Sequence, residues 1–161
     1  MYQPDAYRKQ DKDFIYSFIQ KNPFATMVIK GEQLLATHVP LIIKGNPKQF
    51  QLYGHIANHN EMIPFLRDGA EVLLIFQGPH AYISSSWYPK KDISTWDYSA
   101  VHVNAKIKLQ TQEELYDSLS DLVENFEKEQ EYPLYMKNYP IDKVKHHIEH
   151  ITGFSAKPVL V

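Results

Sequence analysis

The chain has no cysteine, only two arginines (Arg8 and Arg67), six glycines that stand singly, and no apolar run of membrane-spanning length. Each shortage removes a class of chemistry. Without thiols there are no disulfides, thiolate metal sites, iron–sulfur clusters or cysteine nucleophiles. Isolated glycines cannot build a glycine-rich phosphate loop, so a phosphate site would have to come from side chains and helix-start amides. A formal charge of −2 over 161 residues gives no basic footprint for nucleic acid. Ser84, Ser85 and Ser86 lack the Gly-x-Ser-x-Gly turn of an activated serine, which argues against a hydrolase. The N-terminal residues Met1-Tyr2-Gln3-Pro4-Asp5 have no apolar core of the kind a signal peptide needs, so a soluble, cytoplasmic protein is expected.

What is present suits a single domain over residues 1–161, of mainly β, α+β class. Asp11 to Ile19 predicts a helix capped by Asp11, with Phe14, Ile15, Phe18 and Ile19 on one face. Phe24 to Ile29 predicts a buried strand and Leu34 to Ile43 a second, whose Pro40 demands an edge, a bulge or a strand end. Gln49 to Ala57 alternates as a half-buried strand does, and Asn58-His59-Asn60-Glu61 then predicts the start of a short helix reaching Leu66. Glu71 to Phe76 reads as a strand covered on both faces, and Ala100 to Leu109 alternates cleanly. Thr111-Gln112-Glu113-Glu114 is a capping box opening a helix with Leu115, Leu119, Leu122 and Phe126 on one face. Ile141, Val144, Ile148 and Ile151 mark a last helix stopped near Gly153, with room for a terminal strand around Phe154. The sum is five or six mostly antiparallel strands in a closed or nearly closed barrel, with helices at the start, in one crossover and after the sheet.

Between the last two confident strands lies Gly78 to Tyr98, which holds both tryptophans (Trp87 and Trp96), Tyr82, Tyr88, Tyr98 and the serine triplet. It reads as a long connection rather than a strand. It would be either a wall for a planar ligand with an anionic tail, or core filler. Asn58, His59 and Asn60 could cradle an anion at a helix start or simply cap that helix. His38, His55, His80 and His102 sit in or beside strands, where a histidine is usually a hydrogen-bonded structural group. His146 and His150 stand four apart on a helix, but without a third ligand a solvated helix face is the simpler reading, and no metal is expected.

Several motifs combine into a resemblance. His38-Val39-Pro40-Leu41, Gly54 to Asn60, Phe76 to Ser84 with its Gly-Pro-His-Ala-Tyr-Ile-Ser core, Ser86-Trp87-Tyr88, Thr95 to Tyr98 and Val101-His102, together with Met1-Tyr2-x-Pro4, resemble the PaiB-like family of FMN-binding negative transcriptional regulators. The resemblance implies a split β-barrel of the flavin-reductase and pyridoxamine-phosphate-oxidase type, a homodimer, with FMN in the groove between subunits. It implies that His38, Val39 and Pro40 run beside the isoalloxazine ring and that His55, Ile56, Asn58, His59 and Asn60 receive the ribityl phosphate. It further implies that Ser86, Trp87, Tyr88, Thr95, Trp96 and Tyr98 wall the flavin or a substrate pocket. No catalytic residue follows from it.

The implied function is an FMN-binding split-barrel protein that is a flavin-dependent oxidoreductase or a flavin-linked regulator of the PaiB type. A cofactor-free or haem-linked regulatory or binding protein acting on transcription through a partner is the alternative. The chain departs from the family pattern in having Asn58 where a basic residue is common, Glu61 and Ser94 for proline, and Asp97 for asparagine. A phosphate dianion needs charge-assisted donors, so Asn58 and Asp97 weaken the expected hold on FMN, with Arg67, Lys90 or Lys91 as compensating cations. The chain also ends at Val161, short of the family's usual C-terminal segment with its Lys-x-Ser-Gln-Asn-like motif.

Overall fold

A computed structural model describes residues 4–90 and 92–161. Met1 and Tyr2, which carry part of the family resemblance, and Lys91, one of the candidate cations, lie outside the described residues. Helix α1 (Lys12–Lys21) starts where Asp11 accepts a hydrogen bond from the Phe14 amide at 2.6 Å, and buries Ile19. Seven strands follow among the described residues: β1 (Phe24–Lys30), β2 (Leu34–Pro40), β3 (Ile42–Asn46), β4 (Gln49–Ala57), β5 (Glu71–Ile83), β6 (Thr95–Leu109) and β7 (Ile151–Leu160). All pairings are antiparallel, in the order β2-β1-β5-β6-β7-β4-β3.

The two ends of that order are joined in the chain, because β2 and β3 are one bent run interrupted only at Leu41. Its first half pairs with β1 and its second half with β4. The switch falls at Pro40-Leu41, where proline has no N–H to donate and the Leu41 amide turns to Pro23 O at 2.9 Å. Pro40 therefore does end a strand, as its chemistry requires, and the predicted single strand from Leu34 to Ile43 is two. The barrel closes along this seam. Gly54 of β4 lies against Leu41 and the carbonyl of Pro40, with no room for a side chain. Residues 60–66 plug the remaining gap: Asn60 Nδ2 donates to Thr37 Oγ1 at 3.2 Å, while Met62 and Leu66 join the core. Inward-facing residues of every strand, among them Met27, Val39, Leu52, Leu74, Phe76, Val103 and Phe154, fill the interior.

Several expectations need correction. Gly78 to Ile83 and Thr95 to Tyr98 are strand, not loop: β5 and β6 run past the barrel as a two-stranded arm, after a register shift between Gln77 and His80. The helix predicted from Asn58 shrinks to one 3-10 turn, Ile63–Phe65, because Asn60 Oδ1 takes the Met62 amide in a local turn and Pro64 follows. Helix α2 (Gln112–Glu127) has its capping box as read, but only Leu115 and Ser118 are buried; Leu119 and Leu122 are half-buried and Phe126 is exposed. Helix α3 (Ile141–Ile148) ends earlier than predicted, and Ile151 and Gly153 belong to β7. The last two helices thus precede the final strand rather than follow the sheet, and the strand count is seven rather than five or six.

Candidate functional site

Strand alternation decides which predicted residues can meet a ligand. On β2, Val39 is buried in the core, whereas His38 points outward and is exposed, its ring stacked on Phe24 at 5.7 Å. The register places His38 opposite Thr26 of β1, Thr26 opposite Ile75 of β5, and Ile75 opposite His102 of β6. Side chains directly opposite share a face. His38, Thr26, Ile75 and His102 therefore form one row across the outer sheet surface. The adjacent row is Ala36, Val28, Leu73 and Asn104. Val28, Leu73 and Ile75 are only half-buried, so this outward face is apolar in the middle and polar at its ends. Glu71 to Phe76 looks apolar on both sides for this reason.

On β4, Gly54 and Ile56 face inward, and His55 faces outward. The β3–β4 register, Ile42 opposite Tyr53, sets His55 beside Pro40 when continued back across the seam. His55 is half-buried there, and that burial lowers its pKa by penalising the imidazolium. His102 is shifted the same way, chiefly by burial.

The turn after β4 is knitted into the fold. The Asn58 amide group donates to Glu149 O at 2.9 Å and its carbonyl oxygen accepts from Thr152 Oγ1 at 2.7 Å, while its backbone N–H bonds His150 O. Asn60 spends its side chain on Thr37 and Met62. Of the triplet, His59 alone has an exposed side chain with no hydrogen bond among the described residues. With no helix starting here, no helix-end field favours an anion at these residues.

The second group of predicted residues lies on the arm. Trp96 Nε1 donates to His80 Nδ1 at 3.2 Å, and the Trp96 ring packs on His80 at 5.7 Å and on Tyr82 at 6.2 Å. Ser84, Ser85, Ser86 and Ser94 tie the tip together through hydroxyls. Trp87, Tyr88, Ile93, Trp96 and Tyr98 are all at least half exposed. They are not core filler. Among the described residues no ring contact joins Trp96 or Tyr82 to His38 or His55. Thr95 and Asp97 are exposed on the same arm. Of the candidate cations, Arg67 lines a separate cleft with Lys30 and Glu71, and Lys90 is exposed near the tip.

The His146 and His150 rings pack at a tilt, 4.5 Å apart, but His150 Nδ1 is bonded to His146 O at 2.7 Å, and no third His, Asp or Glu joins them among the described residues. Sequence reasoning grouped His102 with His38 as strand histidines but missed Thr26 and Ile75, which join the two into one row. The alternation of β1, β5 and β6 could have shown that they point outward, but not that they align.

The outward row suits the ring of a flavin, whose faces are apolar and whose edge is polar. The Asn58-to-Asn60 turn supplies fewer free donors to a phosphate than its composition suggests. Residues 1–157 match the family described as "Putative FMN-binding domain". The chain is 33% identical over 158 residues to the protease synthase and sporulation protein PAI 2 of Bacillus subtilis, covering 98% of this chain and 76% of that protein. Among solved structures it is similar to an FAD- and haem-binding protein from Mycobacterium smegmatis, with a TM-score of 0.65 at 11% identity over 91% of this chain and 66% of that one. It is also similar to a flavocytochrome from Azotobacter vinelandii, with a TM-score of 0.64 at 15% identity over 92% and 64% of the two chains. The chain spans about two thirds of each of those two flavoproteins, and their likeness concerns the split-barrel fold. With the family pattern running almost end to end and a curated relative matching nearly the whole chain, the chain belongs to the FMN-binding domain family.

Proposed function

We propose that the chain works as a homodimer that binds FMN between subunits and acts as a flavin-linked regulator of the PaiB type. The observation that carries this reading is the outward face of β2, β1, β5 and β6, apolar at Val28, Leu73 and Ile75 and bounded by His38 and His102, which the single chain leaves half open. A second copy covering that face would exclude water from the flavin ring. The exposed aromatic arm is what such a copy would bring. On this reading the main chain of His38, Val39 and Pro40 runs along the ring, and His55 and Ile56 hold the seam beneath the ribityl chain. Asn58 and Asn60 fix the turn, and His59 is the side chain left to meet the phosphate. Ser86, Trp87, Tyr88, Thr95, Trp96 and Tyr98 reach across from the partner. Bound flavin supplies electron transfer in one- or two-electron steps, and the chain's part is to bind, orient and dry the ring.

The test is a visible-absorbance titration with FMN and, separately, FAD, alongside sedimentation velocity. One FMN per chain and a two-chain species are expected. A protein that stays colourless with both flavins overturns the reading. Regulation through a protein partner is favoured over direct DNA reading by the net charge of −2 and the two arginines. Tight, sequence-selective binding in a low-salt gel shift would reverse that preference, and steady NAD(P)H consumption by the flavin form would make the protein an oxidoreductase. A haem-linked role draws support from the two outward imidazoles His38 and His102. It predicts a Soret band on adding haemin that is lost when either histidine is replaced.

A further inference from the structure

A cleft of about 350 Å³ lies between α2 and the outer face of β3, β4, β7 and β6, and none of the residues assigned to flavin lines it. Its floor is set by register. Lys106 of β6 stands directly opposite Lys157 of β7, and Lys108 opposite Ser155, which is opposite Tyr53 of β4; Lys44 of β3 faces Gln51. Four ammonium groups thus share one floor. The roof is α2, whose Glu114, Asp117 and Asp121 follow one another at helical spacing along one face.

The charges do not cancel evenly. Lys44 on β3 pairs with Asp121, and Lys108 on β6 pairs with Glu114 at 3.7 Å. Lys157 on β7 lies between these two ties. Neither Lys157 nor Lys106 has a carboxylate within 4.0 Å among the described residues, although Asp117 lines the same cleft and Glu71 is the neighbour of Lys106 on its other side. Like charges directly opposite on a sheet destabilise it. The Ser155 hydroxyl makes no hydrogen bond among the described residues, whereas Tyr53 donates to Gln51 at 2.7 Å. Among the described residues the cleft therefore keeps two ammonium groups without an ion pair and a hydroxyl without a hydrogen bond, with the Asp117 carboxylate on its wall.

We propose that this cleft binds a small phosphate monoester, its phosphate bridging Lys106 and Lys157 and its hydroxyl-bearing end meeting Asp117. Lysines act as point charges and suit a tetrahedral dianion, while planar carboxylates are better held by the arginine fork, and both arginines lie elsewhere. Asp117 repels a bare anion but accepts from a hydroxyl, which favours an ester over free phosphate.

Calorimetry and amide NMR titration with glycerol 3-phosphate, inorganic phosphate and chloride at a fixed ionic strength of about 0.1 M separate specific binding from screening. Saturable one-to-one binding is expected, tighter for the ester than for inorganic phosphate. Lys106→Gln with Lys157→Gln should weaken it about tenfold or more. Asp117→Ala should erase the preference for the ester. All three substitutions are at exposed positions, and FMN titration should be unchanged in these variants, so failure here is distinguishable from failure of the flavin reading. Shifts that do not saturate, that chloride reproduces, or that persist in the double lysine variant overturn the site. Equal affinity for the two phosphates in the unaltered protein overturns the ester assignment.

Discussion

Leu41 Cδ2 lies 2.5 Å from the position a Cβ on Gly54 would take. The Pro40 carbonyl oxygen is 3.2 Å from the same point, and Leu41 is 1% exposed and cannot swing into solvent. This contact is the seam at which β2 gives way to β3 beside β4, so a methyl there pushes β4 away from the bend that closes the barrel. Gly54→Ala is expected to cost about 1–3 kcal/mol, the usual range for overpacking a filled core, read as a lower urea midpoint with unchanged slope. Gly54→Ala combined with Leu41→Ala should recover part of the close approach while losing core volume. A Gly54→Ala protein as stable as the parent would mean that the seam is looser than described.

Asn58 ties three segments together, since it bonds the last carbonyls around α3 and the second residue of β7. Asn58→Ala removes two side-chain hydrogen bonds at an exposed corner and should cost about 1 kcal/mol. Asn58→Asp should cost more. A carboxylate cannot donate to Glu149 O, and it sits at the negative end of the α3 dipole. Chemical denaturation of both variants ranks them, and the reverse order would show that the Glu149 bond contributes little.

The barrel was legible where one face of a strand is buried and the other is not. Gln49 to Ala57 and Ala100 to Leu109 alternate in sequence as they do in burial, and the Thr111–Glu114 capping box closes as its spacing requires. The arm was not legible, because neither of its faces is buried and its strands carry no period of two. Ile141, Val144, Ile148 and Ile151 keep helical spacing, which draws Ile151 into the preceding helix, while the pairing of Ile151 with Ala57 is a contact across the chain that no local pattern encodes. The same holds at the site. The partners of Asn58 are 91 and 94 residues away, so a residue that composition reads as a free anion donor is already occupied by the fold.

Burial lowers the pKa of His55, so the unfolded chain takes up a proton at a pH where the folded chain resists it. Where the unfolded state binds more protons, stability rises with pH. The contribution from His55 is therefore fully present above its unfolded value of about 6.5 and is lost as pH falls from there toward the lowered folded value. The slope from this one group is at most about 1.4 kcal/mol per pH unit. His102 adds in the same direction, discounted for its greater contact with solvent. Urea midpoints measured at stepped pH should fall below neutrality, and His55→Gln should flatten that fall. A parent and variant with parallel profiles would assign the loss to other groups.

Both tryptophans are on the arm, Trp87 65% and Trp96 56% exposed, so indole emission excited beyond the tyrosine absorption reports on the arm. In a lone chain their emission should be that of wet indole. If a second copy and a flavin cover the arm, the emission moves to shorter wavelength and is quenched by the bound isoalloxazine, which absorbs where indole emits. Dilution through the dimer dissociation range should reverse the shift, and the sedimentation profile should change over the same concentrations. Trp87→Phe and Trp96→Phe separate the two reporters. The Trp96 variant keeps a ring for Tyr82 but loses the N–H donated to His80, so it should loosen the arm more than the Trp87 variant. Emission that stays at the wet-indole position at every concentration, with and without FMN, would place the arm outside both the dimer contact and the flavin groove.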